Sequence, residues 1–122
     1  MLRSPAPSQA KSVVTYDTVR DIGLALPGVE EGMSYGTRAL KVKGKLLARL
    51  RDDPDILVIR TDPIERDHRM KTNPGAFFIT DHYRDYPWML VRLSRVTAAD
   101  LRDLMEQAWR RVASKRLVAR HA

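Results

Sequence analysis

Residues 38–61 read RALKVKGKLLARLRDDPDILVIRT, and this stretch decides the fold. Arg38 to Lys43 and Lys45 to Leu50 are short runs on either side of Gly44, so Lys43-Gly44-Lys45 reads as a tight hairpin turn. Side chains alternate across a strand, which points Leu40 and Val42 one way and Lys41 and Lys43 the other. Leu46, Ala48 and Leu50 continue the apolar face on the second run, with Arg49 and Arg51 opposite. Asp52-Asp53-Pro54-Asp55 then turns the chain into a third run, Ile56 to Thr61. The three aspartates lack the glycine and distal glutamate of a calcium loop and read as a solvated turn. The pattern predicts an antiparallel sheet with one buried and one basic face.

On the N-terminal side, residues 1–13 are polar, carry two prolines and read as a flexible tail. Thr15 is a candidate N-cap for a helix from Tyr16 to Leu26, with Val19, Ile22, Gly23 and Leu26 on one stripe. Pro27-Gly28 stops it, and Val29 to Thr37 reads as a connection. Glu30 and Glu31 are adjacent, so on an extended chain they point opposite ways and do not serve one acid–base site.

On the C-terminal side, Asp62-Pro63-Ile64-Glu65 is a helix start, with Asp as cap and Pro at the first position. That helix runs to about Lys71 and carries few apolar residues, so it is expected to lie largely in solvent. Phe77 to Thr80 and Trp88 to Arg95 read as two more strands. On the latter, Met89, Val91 and Leu93 face the core, and Trp88, Leu90, Arg92 and Ser94 the other side. Thr97-Ala98-Ala99-Asp100 caps a final helix in which Leu101, Leu104, Met105, Ala108, Trp109 and Val112 recur every three or four residues. The expectation is a single α+β domain over residues 14–118, in the order α-β-β-β-α-β-β-α. Five antiparallel strands would form the sheet, with the helices packed on one face and residues 119–122 a short tail.

Twenty-two Lys and Arg against fifteen Asp and Glu make a net charge of +7, a balance that attracts polyanions, nucleic acid first among them. No cysteine is present, which excludes disulfides, thiol nucleophiles and Cys-based zinc sites. The scattered His68, His82 and His121 show no metal-ligand spacing. Neither a membrane-spanning run nor the apolar core of a signal peptide is evident, so a cytoplasmic protein, most simply a monomer, is expected.

Five stretches in order resemble the MmcQ/YjbR family: Tyr16-Asp17-Thr18-Val19-Arg20, Ala25-Leu26-Pro27-Gly28-Val29-Glu30-Glu31, Ser34-Tyr35-Gly36-Thr37, Gly44-Lys45-Leu46-Leu47-Ala48-Arg49-Leu50 and His82-Tyr83-Arg84-Asp85-Tyr86-Pro87-Trp88. The resemblance spans about residues 15–118. It implies a small fold with an antiparallel sheet, similar to frataxin-like CyaY and to type III secretion chaperones, and a DNA-binding role of the kind labelled "double wing". The family often has Pro after Ser-Tyr-Gly-Thr, where Arg38 stands here.

Two site readings follow. Lys41, Lys43, Lys45, Arg49 and Arg51, joined by Arg84 and Arg92, would form a basic hairpin and sheet face that grips DNA phosphates. In that case Tyr83, Tyr86 and Trp88 are at hand to stack on exposed bases. Alternatively Tyr35, His82, Tyr83, Tyr86 and Trp88 wall a pocket for a planar or anionic ligand or a peptide. Asp81, His82 and Asp85 raise acid–base chemistry, but no activated nucleophile accompanies them. The expectation is therefore a binding protein, with no cofactor, no metal and no catalytic residue.

Overall fold

Residues 14–121 are described by a computed structural model, and the predicted tail at 1–13 lies outside them. The elements in chain order are α1 (Tyr16–Leu24), β1 (Val29–Ser34), β2 (Thr37–Val42), β3 (Lys45–Leu50), β4 (Ile56–Arg60), α2 (Pro63–Thr72), β5 (Phe77–Phe78), β6 (Trp88–Arg92), α3 (Ala98–Val112) and α4 (Lys115–His121). Short 3-10 turns at Asp81–Tyr83 and Leu93–Arg95 flank β6. All pairings are antiparallel, in the spatial order β1-β2-β3-β4-β6-β5. The α+β class stands, with six strands rather than five. The stretch read as a connection is edge strand β1, which pairs with β2 along its whole length. Only Val29 of that strand is buried, so it carries no apolar alternation to announce it. Residues 119–121, read as a tail, continue α4, whose Leu117 is buried.

The β1–β2 and β2–β3 hairpins close on two-residue turns, at Tyr35-Gly36 and Lys43-Gly44. The central φ values are 53° and 79° in the first and 50° and 82° in the second. Positive φ at both positions is the type I′ geometry that matches strand twist. Glycine takes it freely, whereas tyrosine and lysine are held there against their steric preference. A register shift between Leu40 and Lys41 leaves Leu47 as an extra residue on β3. Leu47 and Ala48 both face the core, while Leu46 turns to the far face beside Lys41. The expected Leu46–Ala48–Leu50 face is thus broken, because a bulge inverts the alternation on one side of it.

The main core lies between sheet and helices. Leu40, Val42, Leu47, Leu57, Ile59, Met89 and Val91 meet Val19 of α1 and Leu101, Met105 and Trp109 of α3. Trp109 is wholly buried, and its indole N–H donates to the carbonyl of Pro27 at 2.8 Å, satisfying the buried donor while fixing the turn after α1. The other sheet face is not simply basic. Ile56, Val58 and Leu90 are buried there under Tyr83, with Phe78, Ile79 and Trp88 packed around them. The strand read over 77–80 shortens to Phe77–Phe78 because Ile79 and the residues after it leave the ladder to cover this second cluster. Strand β6 stops at Arg92, since the Asp55 carboxylate accepts from both the N–H and the hydroxyl of Ser94 at 2.8 Å.

Two predictions follow. A Cβ at Gly36 or Gly44 would meet nothing within 4 Å, so Gly36→Ala and Gly44→Ala test backbone conformation alone. Each is expected to lower unfolding free energy by about 1–2 kcal/mol, read from the denaturant midpoint. Asp62 accepts from the Glu65 N–H at 2.8 Å and pairs with Arg111 of α3. The backbone N–H bond first, and the Arg111 guanidinium second, hold its pKa below the ordinary carboxylate value. Its stabilising effect is therefore complete above the unfolded carboxylate pKa and is lost as pH falls through the depressed folded value. Asp62→Asn should flatten the acid limb of a stability–pH profile, and an unchanged limb would count against this coupling.

Candidate functional site

The sheet face away from the helices is concave. A groove of about 780 Å³ runs along β3, from Arg51 and Asp52 at one end to Gly44 at the other. Six residues of strand give it a length of about 20 Å. Ser34 at the end of β1, Tyr35 of the first turn, Lys41 of β2, Leu46 and Arg49 of β3, and Arg51 just after it line one side. Val58 of β4, Trp88 of β6 and the loop residues His82, Tyr83 and Tyr86 complete it. The bulge contributes Leu46, and bulges also strengthen local twist, which curls the hairpin toward the loop.

The two predicted sites are therefore one in large part. Lys41, Arg49 and Arg51 share the groove with Tyr35, His82, Tyr83, Tyr86 and Trp88. Lys43 and Lys45 stand exposed on the β2–β3 turn, outside the lining. Arg84 is turned aside by Asp81 at 2.5 Å. Arg92, at the far end of β6, lies over the Phe78 ring at 4.3 Å.

Arg49 is the centre of the groove. Its guanidinium lies 5.0 Å from the Tyr35 ring centroid and donates to the Tyr83 hydroxyl at 3.3 Å. It also donates to the Leu50 carbonyl at 3.4 Å, so its hydrogen-bond partners here are neutral. Among the described residues, Lys41, Lys43, Lys45, Arg49 and Arg51 make no ion pair, whereas Arg20, Arg69, Arg110 and Arg111 on the helices do. Arg102, Lys115, Arg116 and Arg120 are also unpaired but lie exposed outside the groove lining. Asp52 is the one carboxylate in the lining, against three cations.

The aromatic residues divide into two kinds. Tyr83 is 7% exposed and serves the second core. Trp88 is half-buried, with the Arg60 guanidinium 4.6 Å from its ring centroid. Arg60 also donates to the Leu46 carbonyl at 2.9 Å, capping the ladder where the bulge interrupts it. Its pKa is lowered by burial. Tyr35 and Tyr86, at 87% and 58% exposure, present open rings at the rim. His82 is exposed too, edge-on to Tyr83 with ring centroids 4.8 Å apart.

The loop is held by a residue that no local motif marks. Arg66, on α2, donates to the carbonyls of Tyr83 (3.0 Å), Arg84 (2.8 Å), Tyr86 (2.8 Å) and Trp88 (3.1 Å). In the sequence Arg66 is one of several cations on a polar helix, and only the docking of α2 beside the loop gives it this work. Arg66→Lys keeps the charge but cannot span four acceptors. It is expected to speed amide exchange at Tyr83, Tyr86 and Trp88, leave α3 amides unchanged, and cost about 1–3 kcal/mol. Uniform exchange across the whole chain would refute a local clamp.

No described helix is long and apolar enough to cross a membrane. An uncharacterized protein of Mycobacterium tuberculosis and one of Mycobacterium bovis are each 44% identical to this chain over 45 residues. That match takes in 37% of this chain and spans about a third, 35%, of each relative. The crystal structure of Deinococcus radiodurans protein DR2400, described by the domain DUF419, superposes with a TM-score of 0.72 at 24% identity. It covers 85% of this chain and 82% of the other, so the two share a fold. The sequence model of the YjbR family matches residues 24–111, from the end of α1 into the last turn of α3 and across every strand of the sheet. Four of the five stretches that suggested this family, all but Tyr16–Arg20, lie within that match, and the chain belongs to the YjbR family.

Proposed function

We propose that this protein binds DNA in the groove along β3, through phosphate contacts from Lys41, Arg49 and Arg51, and without catalysis. One observation carries the reading: these cations face a concave surface and none is neutralised by an ion pair among the described residues. Unpaired guanidinium and ammonium groups on one face are the means by which proteins displace counterions from a phosphate backbone. The exposed Lys43 and Lys45 extend the positive field past the groove's end and would steer a polyanion toward it. Asp81 is engaged by Arg84, and the His82 ring packs against Tyr83, an arrangement suited to shaping a loop rather than moving protons. A cytoplasmic monomer is the form we propose.

A second reading, a module for a small planar anion or a peptide, draws on the size of the groove, which lies in the range of small-molecule sites. Labelled DNA titrated at several salt concentrations separates the two. The DNA reading predicts a steep loss of affinity with salt, and a fall of at least tenfold at low salt for Lys41→Ala combined with Arg49→Met. Affinity no better than that of an unrelated protein of equal charge would overturn it. Mononucleotides displacing the DNA stoichiometrically at low concentration would favour the second reading.

A further inference from the structure

We propose that the nucleic acid enters the groove as a single strand, with unpaired bases laid against Tyr35 and Tyr86; this rests on the DNA reading above. Tyr35 is the main observation. It occupies the first central position of a type I′ turn at φ 53°, where asparagine, aspartate or glycine would sit without strain. A bulky aromatic at positive φ is an outlier, and retained strain of this kind marks a functional demand. The ring has no packing role that would explain it, since it is 87% exposed. It stands over Arg49, whose guanidinium supports the ring from below at 5.0 Å and leaves the other ring face open.

Tyr86 supplies the matching ring on the loop side, 58% exposed and held in place because Arg66 grips its carbonyl. Tyr83 is unsuited to stacking because it is buried, and Trp88 because it is half-buried against the second core with Arg60 over its remaining face. Arg49 and Arg51 lie two residues apart along the groove floor, about 7 Å of extended chain, and Lys41 on neighbouring β2 is two residues from Ala39, the cross-strand partner of Arg49. An extended strand offers its phosphates at comparable intervals. Asp52 at one end repels phosphate and confines the backbone to the cationic stretch. A duplex keeps its base faces stacked inside and would offer the two rim tyrosines only sugar and phosphate. A single strand offers every base a π-face.

Fluorescence anisotropy with a labelled twelve-nucleotide oligothymidine and a twelve-base-pair duplex tests this at low and moderate salt. The single strand is expected to bind about tenfold tighter or better. Tyr35→Asn and Tyr86→Ser should each weaken single-strand binding about tenfold, the loss of one stacked base. Tyr35→Asn should also raise the melting temperature, because asparagine tolerates the left-handed region. A merely structural Tyr35 would give the opposite pair of results. Equal or tighter duplex binding overturns the single-strand inference. So does single-strand affinity unchanged in both tyrosine variants but lost in Lys41→Ala with Arg49→Met, and in either case DNA binding stands. Failure of both probes to bind better than to a charge-matched control overturns the inference and the DNA reading together.

Discussion

Four carbonyls of one loop converge on a single guanidinium, and the groove depends on that convergence. The loop from Tyr83 to Trp88 has few ladder bonds of its own, and its carbonyls turn toward α2. Arg66 gathers them with a planar fork of donors that no ammonium group can imitate. With the loop pinned, Tyr83 can be spared to cover Ile56, Val58 and Leu90, and its hydroxyl is left to receive Arg49. One interaction outside the groove thus sets a wall, a lid and the position of the central cation.

The helix bearing Arg66 is itself tied to the main layer by two ion pairs, Asp62 with Arg111 and Arg69 with Asp103. Each is partly solvated and modest by itself. Their value is positional, because α2 has no buried residue with which to hold its place. Trp109 does the corresponding service on the other side of α3, where its N–H fixes the turn between α1 and β1. The apolar core gives the domain its stability, and a few directed polar contacts decide where the secondary pieces sit upon it.

Strong local signals read correctly. The caps at Asp62 and Thr97, the stripe from Leu101 to Trp109 and the Lys43-Gly44 turn appear in the structure as the residues announce them. Three features escaped for identifiable reasons. Strand β1 is an edge whose polar residues carry no alternation, although Tyr35-Gly36 is a turn signal of the same kind as Lys43-Gly44. The bulge at Leu47 is a register event between two strands, and alternation within one strand does not show it. Arg66 acts over seventeen residues or more of sequence, on backbone atoms that are identical in every residue type.

The sequence by itself determined the class of fold, the family, the core-facing set of β6 and α3, and a basic hairpin beside an aromatic loop. Those are consequences of periodicity, capping chemistry and composition, which act over a few residues. Only the tertiary structure decided that hairpin and loop face each other across one groove. It also decided that Lys41, Arg49 and Arg51 belong to the groove while Lys43, Lys45, Arg84 and Arg92 do not, and that Tyr35 and Tyr86 keep open rings where Tyr83 and Trp88 do not. The reason is physical: which side chains converge is set by strand order, a bulge and one long-range clamp, and none of these leaves a periodic trace in the chain.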